Sequence, residues 1–212
     1  MEIVQVPMYS FAANCYIVTD GACCAVVDPG AEGVRIVDAL RQKGLAPEMI
    51  LLTHGHFDHI GAVKQVKAAF PQAVVTGCRK DEELFTDPAK NLGRMYSDDP
   101  QQYQIEVERW VAEGDVIQLG QTAIAVLETP GHTPGSVCYQ WDKGMFSGDT
   151  LFDHSYGRVD LYGGDPVAMI ASLRRLSTLA GDDRATVYPG HESICTLGES
   201  RRFLQQLLGE YT

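Results

Sequence analysis

The chain has 212 residues, with 28 Asp and Glu against 17 Lys and Arg, a formal net charge of −11 and 45% hydrophobic residues. A chain of this length buries about 70% of its unfolded surface, so one self-sufficient domain over residues 1–212 is expected, without staples. The acidic excess argues against nucleic acid and anionic membranes as partners, because both are bound through lysine and arginine.

Met1 leads straight into the alternating run Glu2-Ile3-Val4-Gln5-Val6, with no basic, apolar or cleavage region of a signal peptide. Short β-branched or apolar runs at 2–7, 14–19 and 23–28 predict a meander, the last ending in the turn Asp28-Pro29-Gly30. Val34, Val37 and Leu40 recur at helical spacing over 31–43, and Met49-Ile50-Leu51-Leu52-Thr53 reads as a buried strand. A helix is expected from Ile60 to Pro71, a strand at 73–77, and short helices in a loop-rich excursion over 79–104. Strands follow at 105–111, 116–119, 122–128, 136–141 and 144–147, then a helix at 166–180, a strand at 185–188 and a helix at 199–208. Strand-like and helical segments thus alternate, which predicts an α/β or mixed layered architecture. No apolar run approaches the length of a membrane span. Six scattered cysteines without a Cys-x-x-Cys pair are expected as reduced thiols, and a cytoplasmic location follows from that reading.

Three of the six histidines fall within six positions, as His54-x-His56-x-Asp58-His59. Chance would place this pattern roughly 0.0003 times in a chain of this composition. His54 and His56 are two apart in extended backbone, so both rings project one way, whereas Asp58 and His59 lie where the chain bends into a helix. His132, Asp149 and His191 each end a separate β-run and each follows a glycine, Gly131, Gly148 or Gly190. Seven ligand-type residues exceed what one ion uses and suit a pair about 3.5–4 Å apart that share a carboxylate and a hydroxide. Such a pair activates water at neutral pH and needs no serine or cysteine nucleophile, and the chain has no Gly-x-Ser-x-Gly elbow.

Thr53-His54-Gly55-His56-Phe57-Asp58-His59, Pro130-Gly131-His132-Thr133-Pro134-Gly135-Ser136, Ser147-Gly148-Asp149-Thr150-Leu151-Phe152 and Pro189-Gly190-His191-Glu192 together resemble the metallo-β-lactamase superfamily. Within it they are similar to the short glyoxalase II-like thioester hydrolases. The resemblance implies a four-layer αββα sandwich, two mixed sheets flanked by helices. It implies one metal held by His54, His56 and His132, a second by Asp58, His59 and His191, and Asp149 as bridge. Asp28 is implied just outside the ligands. Asp58 and Asp149 are the implied catalytic residues, orienting a metal-bridging hydroxide that attacks a thioester of the hydroxyacylglutathione type. Two divalent ions are expected, zinc first, with iron or manganese also suited to imidazole and carboxylate ligands.

In full-length glyoxalase II a helical domain that grips glutathione follows the last histidine. Here 21 residues follow His191, so the expected substrate is a thioester of the hydroxyacylglutathione type or a similar small thiol conjugate, with the thiol itself left open. Glu192 stands where many members have glycine, and Asp149 where lactamases of the superfamily commonly have cysteine or serine. His154, Tyr156 and Arg158, in the loop after Asp149, are candidate substrate contacts; Arg158 either pairs with Asp160 or receives a substrate carboxylate. The segment Gly157-Arg158-Val159-Asp160 is shared with persulfide dioxygenases, which use a single iron, and this sets the second reading. A non-catalytic metal-binding module is the third.

Overall fold

The computed structural model describes residues 1–9 and 13–209. The chain opens as a meander of β1 (Glu2–Val6), β2 (Cys15–Asp20) and β3 (Cys23–Val27), then passes through α1 (Gly33–Gln42) to β4 (Met49–Leu51). The short helices α2 (Phe57–Ile60) and α3 (Val63–Ala69) precede β5 (Val74–Cys78). An irregular stretch holding α4 (Glu82–Thr86) and α5 (Gly93–Tyr96) leads to β6 (Arg109–Val111). The second half runs β7 (Val116–Leu119), β8 (Thr122–Glu128), β9 (Val137–Trp141), β10 (Gly144–Gly148), α6 (Pro166–Ser177), β11 (Thr186–Pro189), β12 (Cys195–Thr196) and α7 (Leu197–Gly209).

These strands form two six-stranded sheets, ordered β1-β2-β3-β4-β5-β6 and β12-β11-β10-β9-β8-β7. Both are mixed: β3 to β6 pair in parallel after an antiparallel start, and β10 pairs β11 in parallel among antiparallel neighbours. Side chains alternate across each strand, so one strand feeds two cores. In β2 and β3, Ile17, Cys24 and Val26 pack with Ile36 and Leu40 of α1 and Val63 and Val66 of α3. Their neighbours Val18, Ala25 and Val27 pack with Ile124, Val126, Tyr139 and Phe146 of the other sheet. Leu127, Cys138, Met145 and Val187 face the third core, with Met169 and Leu173 of α6 and Leu204 and Leu208 of α7. Three cores between four layers give the αββα sandwich.

Several predicted boundaries move. The helix expected from Ile60 starts at Phe57 and breaks after Ile60, because the Ala62 N–H donates to the Pro29 carbonyl (2.8 Å) outside helical register. The strand expected over 105–111 shrinks to β6, since the Ile105 N–H donates to the Phe85 carbonyl (2.8 Å) and so faces α4, not the sheet. The helix expected over 166–180 ends at Ser177, the last helix begins at Leu197, and β12 was not predicted. All six cysteines are free thiols, and Cys24 and Cys138 are core residues while Cys23 is half-buried. Among the described residues, no helix is long and apolar enough to cross a membrane.

The sheets are stitched together at one edge. The buried Tyr16 hydroxyl on β2 donates to the Pro189 carbonyl on β11 (2.7 Å), and the buried Tyr139 hydroxyl on β9 donates to the Leu52 carbonyl past β4 (2.9 Å). The Val137 N–H adds a bond to the Thr53 carbonyl (2.9 Å). The loops leaving β3, β4, β8, β10 and β11 all lie at this edge, and these bonds tie the ends of β4 and β11 to the facing sheet.

Candidate metal centre

Those five loops carry Asp28, then His54 and His56, His132, Asp149 and His191, while Asp58 and His59 occupy the single turn of α2. Two of the loops depend on glycine. Gly148 holds φ 49°, and a Cβ there would lie 2.4 Å from Thr53 Oγ1; at Gly190 a Cβ would lie 2.2 Å from Asp149 Oδ1. Glu192 takes φ 63°, the left-handed region that glycine enters freely and other residues adopt at a cost.

All seven predicted residues converge. The ligand-type atoms of His54, His56 and His132 lie within 4.8 Å of one another, as do those of His54, His59 and Asp149 and those of Asp58, His59 and His191. Asp149 lies between the groups: Oδ1 is 3.3 Å from His59 Nε2, and Oδ2 is 3.3 Å from His191 Nε2 and 3.4 Å from His132 Nε2. Asp58 Oδ2 is 3.3 Å from His191 Nε2.

Outer partners orient the rings. Thr53 donates to Asp28 through both its N–H (2.8 Å, Oδ1) and its hydroxyl (2.6 Å, Oδ2). The threonine oxygen, its proton committed, accepts from His54 Nδ1 (3.1 Å), while His59 Nδ1 donates to Asp28 Oδ2 (3.0 Å) and His132 Nδ1 to the Arg158 carbonyl (2.7 Å). Holding Nδ1 in this way turns Nε2 inward and sets the tautomer that a metal requires. Asp28 itself has φ 48°, strain at a non-glycine residue that its three hydrogen bonds offset.

His54 Nε2, His56 Nε2 and Asp149 Oδ1 are buried without a hydrogen-bond partner among the described residues. Each such atom costs about 1–3 kcal/mol, and native proteins rarely concentrate them. Two imidazole nitrogens and a carboxylate oxygen are the donor types that divalent zinc, iron and manganese accept, so the residues fit the cations borne by this kind of site.

The electrostatics differ across the centre. Burial holds His54 and His132 below the ordinary histidine range and brings His56 down to about 3. At His59 burial also opposes the charged form, but the carboxylates of Asp149, Asp58 and Asp28 outweigh it and hold the ring well up. His191 follows the same balance, burial against hydrogen bonds to Asp149 and Asp58, and rises to about 9. Asp149 and Asp58 stay below the usual carboxylate range, since the neighbouring His59 and His191 overcome the burial that would raise them.

The centre opens into a cavity of about 410 Å³ whose lining includes Tyr156 and Arg158. Arg158 is held by Asp160 in two 2.7 Å bonds, the structural alternative of the two expected for it. His154 is not brought to that lining: its side chain is 68% exposed, bonded to Asp153 (2.6 Å) and set against Phe203.

Sequence reasoning missed Asp81, whose fully buried carboxylate accepts from the Gly55 N–H (3.0 Å), the Thr133 hydroxyl (2.8 Å) and the Gly135 N–H (2.6 Å). Burial pushes it up to about 6 despite these bonds. It ties the His54–His56 loop to the one carrying His132. It sits at the head of a polar, irregular stretch with no periodic signal to single it out.

Residues 9–191 match the model of the metallo-beta-lactamase superfamily. Hydroxyacylglutathione hydrolase GloC of Haemophilus influenzae is 32% identical, covering 95% of this chain and 96% of that protein. The crystal structure of BLEG-1 B3 metallo-beta-lactamase superposes with a TM-score of 0.87 at 32% identity, over 95% of this chain and 97% of that one. TTHA1623 in a di-iron-bound form gives 0.82 at 36% identity, over 94% and 98%. ETHE1 from Myxococcus xanthus gives 0.80 at 27% identity, over 99% and 85%.

Proposed function

The chain belongs to the metallo-β-lactamase superfamily, and from that premise we propose that it is a dinuclear metal-dependent hydrolase of a thioester of the hydroxyacylglutathione type or a related small thiol conjugate. The carrying observation is that three His and Asp groups are chained through His54 and His59, with Asp149 in the middle group and buried unpartnered donor atoms among them. His54, His56 and His132 would hold one cation, Asp58, His59 and His191 the other, and Asp149 both. Zinc leads on donor chemistry, and the di-iron form of TTHA1623 keeps iron beside it. Divalent cations held there supply Lewis acidity, lowering the pKa of water and polarising a carbonyl.

The chain's own groups do the positioning. Asp58, ionised at neutral pH and lining the cavity, accepts a hydrogen bond from the attacking water and aims it. The Asp28–Thr53–His54 and Asp28–His59 bonds keep two rings from turning away as charge develops. The similarity to GloC supports the thioester class, and that to BLEG-1 places β-lactams among the competitors to be excluded.

The second reading, a mononuclear iron persulfide dioxygenase, draws on the likeness to ETHE1 and on Gly157-Arg158-Val159-Asp160. One screen separates the two: thioesters, lactones, β-lactams, phosphodiesters and glutathione persulfide, run on protein of measured metal content. Thioester turnover with two ions per chain is expected. Oxygen uptake with persulfide and no thioester cleavage, or full activity at one ion per chain, overturns the proposal.

A further inference from the structure

The lining of the cavity beyond its histidines and aspartates is mostly apolar or aromatic: Phe57, Leu92, Tyr96, Phe152, Tyr156 and Leu161. Arg158 is its one lysine or arginine among the described residues, and that guanidinium is engaged by Asp160. The remaining charged group beyond the centre is the carboxylate of Glu192. Such a lining offers an apolar face for an apolar group and little to receive an anionic one.

One side of the cavity is a built corner. Tyr96, at the end of α5, stacks on Phe57 with ring centroids 4.3 Å apart and planes within 8°. Phe57 directly precedes Asp58, so the stack stands beside the reacting centre. Leu92, just before α5, is held at φ 72°, a left-handed conformation that costs a branched side chain and persists only where its surroundings enforce it. Asn91 enforces it. Fully buried, it donates to the Leu84 and Tyr103 carbonyls (2.7 and 2.9 Å) and accepts from the Gly93 N–H (2.9 Å). Its own carbonyl accepts from the Phe57 N–H (3.0 Å), clipping the corner to the start of α2.

From this we infer that the Leu92–Tyr96 corner is the acyl-specificity element, and that the site takes thioesters with an aryl or branched apolar acyl group in preference to small hydrophilic ones. The inference rests on the hydrolase reading above and, of its two substrate types, selects the related small thiol conjugate over the hydroxyacylglutathione type. Leu92 and Tyr96 determine specificity, touching the acyl chain and not the reacting atoms, and Asn91 is a positioning residue.

The test uses the metal-loaded full chain and two thioesters of N-acetylcysteamine, phenylacetyl and acetyl, together with calorimetry on the thioether S-(2-phenylethyl)-N-acetylcysteamine, which cannot be hydrolysed. Wild type should favour phenylacetyl in kcat/KM by roughly tenfold or more, the discrimination an apolar pocket gives to an added hydrophobic group. Tyr96→Ala and Leu92→Gly should each cut that ratio roughly fivefold and weaken thioether binding. Leu92→Gly suits the left-handed backbone, so a lost ratio with an undiminished melting temperature separates specificity from misfolding. Equal kcat/KM for both thioesters, or a ratio unchanged in both variants, overturns the inference while leaving the hydrolase intact. Tight, Tyr96-dependent binding of the thioether without turnover of either ester instead sinks the hydrolase reading and leaves the apolar seat standing.

Discussion

His54, His56 and His132 bring three uncharged imidazoles into a place where burial depresses their basicity, whereas His59 and His191 stand among Asp28, Asp58 and Asp149, which raise theirs. The first half leaves His54 Nε2 and His56 Nε2 without partners and pairs only His56 Nδ1 with His132 Nε2, whereas His59 and His191 in the second sit within ion-pair distance of carboxylates. A cation entering the histidine half displaces the single proton shared between His56 Nδ1 and His132 Nε2 (2.8 Å), while one entering the carboxylate half must displace protons held more tightly, on His59 and His191. Two sites a few ångströms apart are thus set up for different affinities, with the carboxylate half gaining the more as pH rises.

The strongest way to break this contrast is at the residue common to both halves. Asp149→Ala should lower turnover by on the order of 10³-fold or more and deplete both metals, because several kcal/mol of charge stabilisation depend on ions it helps hold. His56→Ala and His191→Ala sharpen the comparison, each expected to lose one ion per chain in elemental analysis. If either variant loses both, the halves do not bind independently. Asp58→Asn removes the charge but keeps the shape, and about a 10²-fold fall in kcat is expected from a misaimed water, checked by steady-state kinetics on protein of matched metal content. Asp28→Asn acts one layer out and should weaken metal binding by about 10- to 100-fold, read by competition with a chromophoric chelator.

The most graded effect is on the stability of apoprotein prepared by chelation. His56 falls to about 3 when folded against 6.5 when unfolded, so the unfolded chain takes up a proton that the fold refuses, and stability drops on acidification below about 6.5. His191 rises to about 9, so the stability it contributes is complete below 6.5 and is lost as pH climbs through 9. Denaturant melts across pH should show a maximum between these limbs. His56→Ala should flatten the acid limb and His191→Ala the alkaline one; an unchanged profile in both would mean that other groups set it.

What could be read from the sequence tracks how local the physics is. The histidines and Asp149 stood out because their chemistry is rare and each lies at the end of a periodic β-run, a place visible without tertiary information. A layered α/β architecture followed from the alternation of strand-like and helical segments, whereas the four-layer sandwich was implied by the resemblance of the histidine and aspartate motifs. Asp81 and Asn91 were invisible for the opposite reason: each matters through partners distant in sequence, and each, like Leu92 beside Asn91, lies in a stretch without periodicity. The break after Ile60 was half hidden: Gly61 marks it locally, but the Pro29 carbonyl that draws the Ala62 N–H out of helical register lies thirty-odd residues earlier.

The first sheet is drawn wholly from the chain up to β6 and the second wholly from β7 onward, and each half of the centre takes residues from both. His56 and His132 are 76 positions apart, His59 and His191 132. A cation binding either pair closes a long loop, and the entropy of closing such loops in the unfolded chain grows with their length. The metals would then act as removable cross-links between two sequential halves, so that a chain cut in the turn between β6 and β7 could be expected to reassemble, and to stay assembled, only while metal is present.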